Sequence, residues 1–155
     1  MRTRKSGPLL LCLVLTLSGC GLVGGGDRGP KPLTPMPSEV PTGPEYATAE
    51  EVVAALVKGG FDCRTTLVNH YAYGSNATCE VQHRGTTVYN EIKVLDTARF
   101  SRDEVGDSIA VGRRAYRHTF VAAGNWFIWV RPGVYAHDMA AALPGSVVLD
   151  PIVEK

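Results

Sequence analysis

Trp126-Phe127-Ile128-Trp129-Val130 is the most restrictive stretch of this chain. A strand sends alternate side chains to opposite faces, so five large apolar residues in a row leave neither face suited to water. The run predicts a strand that is central in a sheet or covered on two sides. Pro132-Gly133 ends it, and Ala123-Gly124 joins it to an earlier apolar run. Residues 116–122 and 125–131 therefore predict a strand pair.

A second pair is predicted over residues 78–83 and 86–95, with Arg84-Gly85 as the tight turn. Val88, Asn90, Ile92 and Val94 alternate with Tyr89, Glu91, Lys93 and Leu95, a face for burial against a mostly polar one. Residues 48–58 predict a helix. Thr48 and Glu51 have the spacing of a capping box, and Ala49, Val52, Val53 and Leu56 form one apolar stripe. Gly59-Gly60 supplies its exit, and Phe61 can pack back on the last turn. One short or broken helix is expected between 97 and 109, weakened by Gly106. A last helix is expected over 134–143, closed by Pro144-Gly145. Residues 147–153 are apolar and fit either a strand or packed coil. Residues 64–77 are polar and turn-rich and read as a loop.

This order predicts an α+β fold, a largely antiparallel sheet of four to five strands with about three helices packed on one face. The folded part is expected over 47–155, one domain too small to divide. Residues 21–46 alternate proline with Gly, Thr, Ser and Glu and have no apolar period, which reads as a tether.

The first twenty residues address location. Arg2, Arg4 and Lys5 precede an apolar run over 8–17, far shorter than the roughly 20 residues of a membrane-spanning helix. Leu17-Ser18-Gly19-Cys20 follows. This arrangement resembles a bacterial lipoprotein signal peptide with its lipobox. The resemblance implies a signal over 1–19, a diacylglyceryl group on Cys20, and a chain held by that lipid on the extracytoplasmic face of the cell membrane. Loss of the three basic residues would turn a formal charge of +1 into −2, which is not the profile of a nucleic-acid-binding protein. Eleven arginines against five lysines fit a GC-rich bacterium. The capped first helix ending in Gly-Gly, the Cys-bearing strand, Gly124-Asn125-Trp126 and the Ala-rich last helix resemble small actinobacterial lipoproteins of unknown function over 48–145. That resemblance brings no catalytic residue. With Cys12 leaving with the signal and Cys20 lipidated, Cys63 and Cys79 remain as a pair in an exported domain, where disulfides persist.

Catalytic signatures are missing from the sequence. There is no phosphate-cradling glycine motif at a strand-to-helix junction, no His-Glu-x-x-His and no Gly-x-Ser-x-Gly. His70, His83, His118 and His137 lack helical ligand spacing, so no metal is expected, and no cofactor either. Asp103, Glu104 and Asp107 read as a solvated helix face. Tyr71 and Tyr73 share a face if extended, and a tyrosine offers apolar area with a polar tip, which suits contact. Arg113, Arg114 and Arg117 are a second candidate, for an anionic envelope polymer. Trp126 and Trp129 suit a core or a pocket. The expected function is a non-catalytic binding module of the cell envelope, with the bilayer and an envelope protein or polymer as partners. The alternative is a small-ligand-binding lipoprotein, and an envelope enzyme ranks below both.

Overall fold

A computed structural model describes residues 31–153, and the chain from Pro32 onward forms one compact unit. Cys20 and the signal sequence lie outside the described residues. The elements run α1 (Ala49–Lys58), β1 (Arg64–Tyr71), β2 (Gly74–His83), β3 (Thr86–Leu95), α2 (Asp103–Ala115), β4 (Thr119–Ala123), β5 (Trp126–Val130), a 3-10 turn (Gly133–Tyr135), α3 (Ala136–Ala142) and β6 (Val147–Leu149). The fold is α+β, with six strands rather than four to five, ordered β1-β2-β3-β5-β4-β6. Every neighbouring pair is antiparallel.

The helices do not share one face. α1 and α3 contribute Val52, Leu56 and Met139 to a core with Ile92, Val121, Trp126 and Ile128. α2 contributes Val105 and Ile109 to a second core with Phe120, Ala122, Phe127 and Leu149. The reason lies in the connections. From β3 the chain passes through α2 to β4, skipping one strand position, and from β5 it passes through α3 to β6, again skipping one. Both crossovers step the same way across the sheet, but β3 and β5 run in opposite directions. Crossovers of one hand must then place their helices on opposite faces, as the right-handed rule demands. Sequence pattern alone does not reveal this, because it depends on the insertion of β5 between β3 and β4.

β5 is the strand that the five-residue apolar run foretold. Trp126 and Ile128 are fully buried on the α1/α3 side, and Phe127 is buried on the α2 side. The Arg84-Gly85 turn also forms, with φ of 49° and 80°. α1 ends as its glycines suggest, with Gly60 N–H donating to the Val57 carbonyl and Phe61 N–H to the Leu56 carbonyl, both at 3.0 Å. Its start differs. The Thr48 side chain makes no capping bond; Ser75 Oγ of β2 accepts from Ala49 N–H at 2.7 Å, and Glu51 reaches Ala47 N–H at 2.8 Å.

The expected short helix is longer, 13 residues to Ala115. Gly106 does not break it. A Cβ there would lie 2.5 Å from Met36 N, so glycine lets the proline-rich segment pass against the helix. From Pro32 onward that segment is part of the compact unit instead of a free tether. Its backbone is held at both ends: Thr34 N–H and Met36 N–H donate to Asp107 and Asp103, each at 3.1 Å. Arg102 donates to the Val40 and Pro41 carbonyls and to Gly124 O, and Trp126 Nε1–H donates to Pro44 O at 2.9 Å. Val40 is 4% exposed inside the second core.

Candidate functional site

Residues 64–77 are a hairpin, not a loop. β1 and the first part of β2 pair from Arg64 to Tyr71, and the turn is Ala72-Tyr73. β1 escaped detection because it is an edge strand with little burial on either face, so its sequence shows no apolar alternation. Gly74-Ser75-Asn76 mimics a turn but starts β2, whose Ser75, Ala77, Cys79 and Val81 are buried in alternation. A side chain on Gly74 would meet the Val94 carbonyl at 2.0 Å, so glycine is needed for the close approach of β3.

The disulfide joins Cys63 to Cys79, with Cα atoms 5.4 Å apart. Both are buried in the core under α1. It therefore clamps the start of β1 to the middle of β2, and does not close a free loop.

At the hairpin tip Tyr71 and Tyr73 stack, ring centroids 5.0 Å apart and planes within 6°. They are 44% and 46% exposed. Beside them lies a cleft of about 650 Å³, bounded by residues 45–47, the tip, and residues 95–99. Asn125 fixes its walls to one another: its Nδ2 donates to Tyr46 O at 2.9 Å and Leu95 O at 2.7 Å, and its Oδ1 accepts from Tyr46 N–H at 3.1 Å. Burial and the charge of Glu51 push the Tyr46 phenol above the usual tyrosine value, so it remains a proton-bearing donor. Asp96 pairs with Arg99 at 3.4 Å, and His70 with Glu50 at 3.0 Å. These side chains are engaged in holding the walls. The cleft offers hydrogen-bonding groups and a tyrosine ring for stacking.

The three arginines differ in their surroundings. Arg113 is committed to structure, its Nε donating to Asp150 O at 2.7 Å and its Nη1 lying 3.2 Å from Glu39. Arg114 and Arg117 are exposed on either side of the α2 exit, Arg117 with φ of 57°. Trp126 belongs to the core, whereas Trp129 belongs to a surface stack that the sequence did not announce. His118 lies 3.8 Å from the Trp129 ring centroid, and the Arg131 guanidinium lies 3.0 Å from it. Two groups that close must occupy opposite faces of the indole. Burial, and then the charge of Arg131, push the His118 imidazole below the ordinary histidine value. His83 Nδ1 meets the Tyr135 hydroxyl at 2.9 Å, and His137 is exposed. Among the described residues no three His, Cys, Asp or Glu side chains are grouped as a metal site, and no helix is long and apolar enough to cross a membrane.

Comparison of the chain with protein-family models, with curated proteins and with solved structures finds no match in any of the three.

Proposed function

We propose that this chain is a bacterial lipoprotein, anchored through Cys20 to the extracytoplasmic face of the cell membrane, that works as a non-catalytic binding module of the envelope. The anchor reading rests on the lipobox resemblance of Leu17-Ser18-Gly19-Cys20. The binding reading rests on one observation: two parallel, half-exposed tyrosine rings at the tip of a hairpin, next to a polar cleft. Exposed stacked rings keep apolar area in water, which a partner surface can cover at low entropic cost. The hairpin is fixed at its base by the disulfide, so the tip is carried by a rigid support. The partner class is an envelope protein or polymer. The cleft of about 650 Å³ supports a second reading, a small ligand with hydroxyl or amide groups.

Two measurements test these readings separately. Mass spectrometry of the exported protein should find a diacylglyceryl Cys20 at the N-terminus, and an unmodified Cys20 there would end the anchor reading. Crosslinking in the native cells should capture a partner with the wild type and much less of it with Tyr71→Ala/Tyr73→Ala at an unchanged circular dichroism spectrum. Unchanged capture would move the contact surface away from the hairpin tip. Saturable binding of a small polar ligand, abolished by filling the cleft at Ala47, would favour the second reading.

A further inference from the structure

The outer edge of β1 is built to pair with itself, and we infer that its occupant is a second copy of this chain. Among the described residues no strand pairs with that edge. The other edge, β6, is three residues long and runs into Pro151, the ordinary protections of a sheet edge. β1 is eight residues long and holds no proline or lysine. Its one irregularity is a register shift between Thr65 and Leu67. Beyond it, residues 67–71 pair regularly with 78–74.

The register determines which backbone groups are free. Tyr71 and Gly74 flank a two-residue turn, so they are a hydrogen-bonded pair. Alternation makes Asn69 and Leu67 bonded to β2 as well, and leaves the N–H and C=O of Val68 and His70 pointing outward. A two-fold axis at Asn69 sets Val68 of one copy opposite His70 of the other, and the reverse. The outward groups then meet as two hydrogen-bonded pairs, and the axis falls at the centre of the regular stretch.

Side chains agree with this register. Directly opposed residues share a face, and the axis at Asn69 sets Leu67 against Tyr71 of the second copy, twice, with Asn69 against Asn69 between them. Leu67 and Tyr71 are 54% and 44% exposed in the single chain, and this pairing covers them. On the other face Val68 meets His70, whose ring lies 3.0 Å from Glu50 of its own chain. Arg64 lies outside the paired stretch and is held by Glu80 at 2.7 Å. No like charges oppose across the axis. A foreign strand would need a matching sequence, whereas the stretch 67–71 already complements itself. The result is a sheet continuous through two copies. The pairing shares Tyr71 with the partner contact proposed for the tip, but Val68 and Asn69 take no part in the tyrosine stack, so substitutions there test the pairing alone.

The test uses the purified full chain under mild oxidation. Across a non-hydrogen-bonded pair the two Asn69 Cα atoms would lie about 4.5 Å apart, within disulfide reach. Asn69→Cys should give a covalent dimer whose peptide map shows the two substituted positions linked to each other. Leu67→Cys sits four positions out of register with its copy, about 13 Å, and should self-link at least tenfold less. Val68→Pro removes an outward N–H that β2 does not use, so it should weaken dimerisation about tenfold or more, by sedimentation, with circular dichroism unchanged. A chain that stays monomeric and unlinked with Asn69→Cys overturns the inference. Equal linking by Leu67→Cys overturns the register, and an edge found filled by another protein's strand overturns the choice of occupant.

Discussion

The two halves of the sheet face water differently. β5 and β4 are covered on both sides, by α1 and α3 on one and by α2 with the docked proline-rich segment on the other. β1, β2 and β3 have α1 on one side, while on the other Leu67, Tyr71 and Tyr89 are about half exposed. Stability and recognition are thereby separated along one sheet. The covered half holds Trp126, Val121 and Ile128 at 0% exposure, and the open half holds the free edge with Leu67, Tyr71 and Tyr73 exposed along it.

The difference predicts where substitution hurts. Trp126 is fully buried in the covered half, packs edge-on against Tyr46 at 5.8 Å, and donates to Pro44 O. Trp126→Ala should destabilise by about 3–5 kcal/mol, measured by denaturant unfolding, because it opens a cavity and leaves that carbonyl unpaired. A loss below about 1 kcal/mol would mean that the covered half is not the stabilising one.

The open half has one strong tie of its own. Replacing Cys63 and Cys79 by Ser frees a chain closed over a sequence separation of 16, which costs about 3 kcal/mol in the chain-entropy model. Unfolding of the double variant with and without reductant should coincide, and both should match reduced wild type. An unchanged melting temperature would mean that α1 alone holds β1 and β2.

Pattern reading followed the same division. Where both faces are buried, as in β5, the residues announce it, and where one face is, as in β3, alternation does. β1 announces nothing, since an edge exposed on both faces places no demand on side-chain polarity. The docked segment was illegible for another reason. It is held largely through backbone groups, such as the Val40, Pro41 and Pro44 carbonyls, which every sequence has. The reason for a glycine at 106 lies in that docking, so it was hidden with it. At the candidate site Tyr71 and Tyr73 were named from sequence, but their stacking needs the turn at Ala72-Tyr73 in place of Gly74-Ser75-Asn76. The Tyr116, His118, Trp129 and Arg131 stack joins the end of β5 to the chain between α2 and β4, and no spacing along the chain encodes it.

That stack makes the covered half sensitive to pH. The folded state holds His118 below its ordinary value of about 6.5, so at acidic pH the unfolded chain binds more protons at this site. Stability from this group is complete above about pH 6.5, declines as pH falls through that value, and stops declining below the lowered folded value. His118→Gln should therefore lose less melting temperature than wild type between about pH 7.5 and pH 5. Equal losses would place the acid sensitivity elsewhere.

The smallest effect belongs to the open half. Leu67 is an apolar residue in a strand, as Ile128 is, yet it is 54% exposed while Ile128 is at 0%. Truncation costs scale with the area withdrawn from water and with the cavity left behind, and Leu67 has little of the first and none of the second. Leu67→Ala should change unfolding free energy by no more than about 0.5 kcal/mol in dilute solution. The same substitution removes the group that meets Tyr71 of a second copy, so it should lower self-association while the isolated chain stays as stable as before. Denaturant unfolding at low concentration and sedimentation at high concentration separate the two. A large loss of stability at low concentration would show that the open face is covered within a single chain, and would dissolve the contrast between the halves.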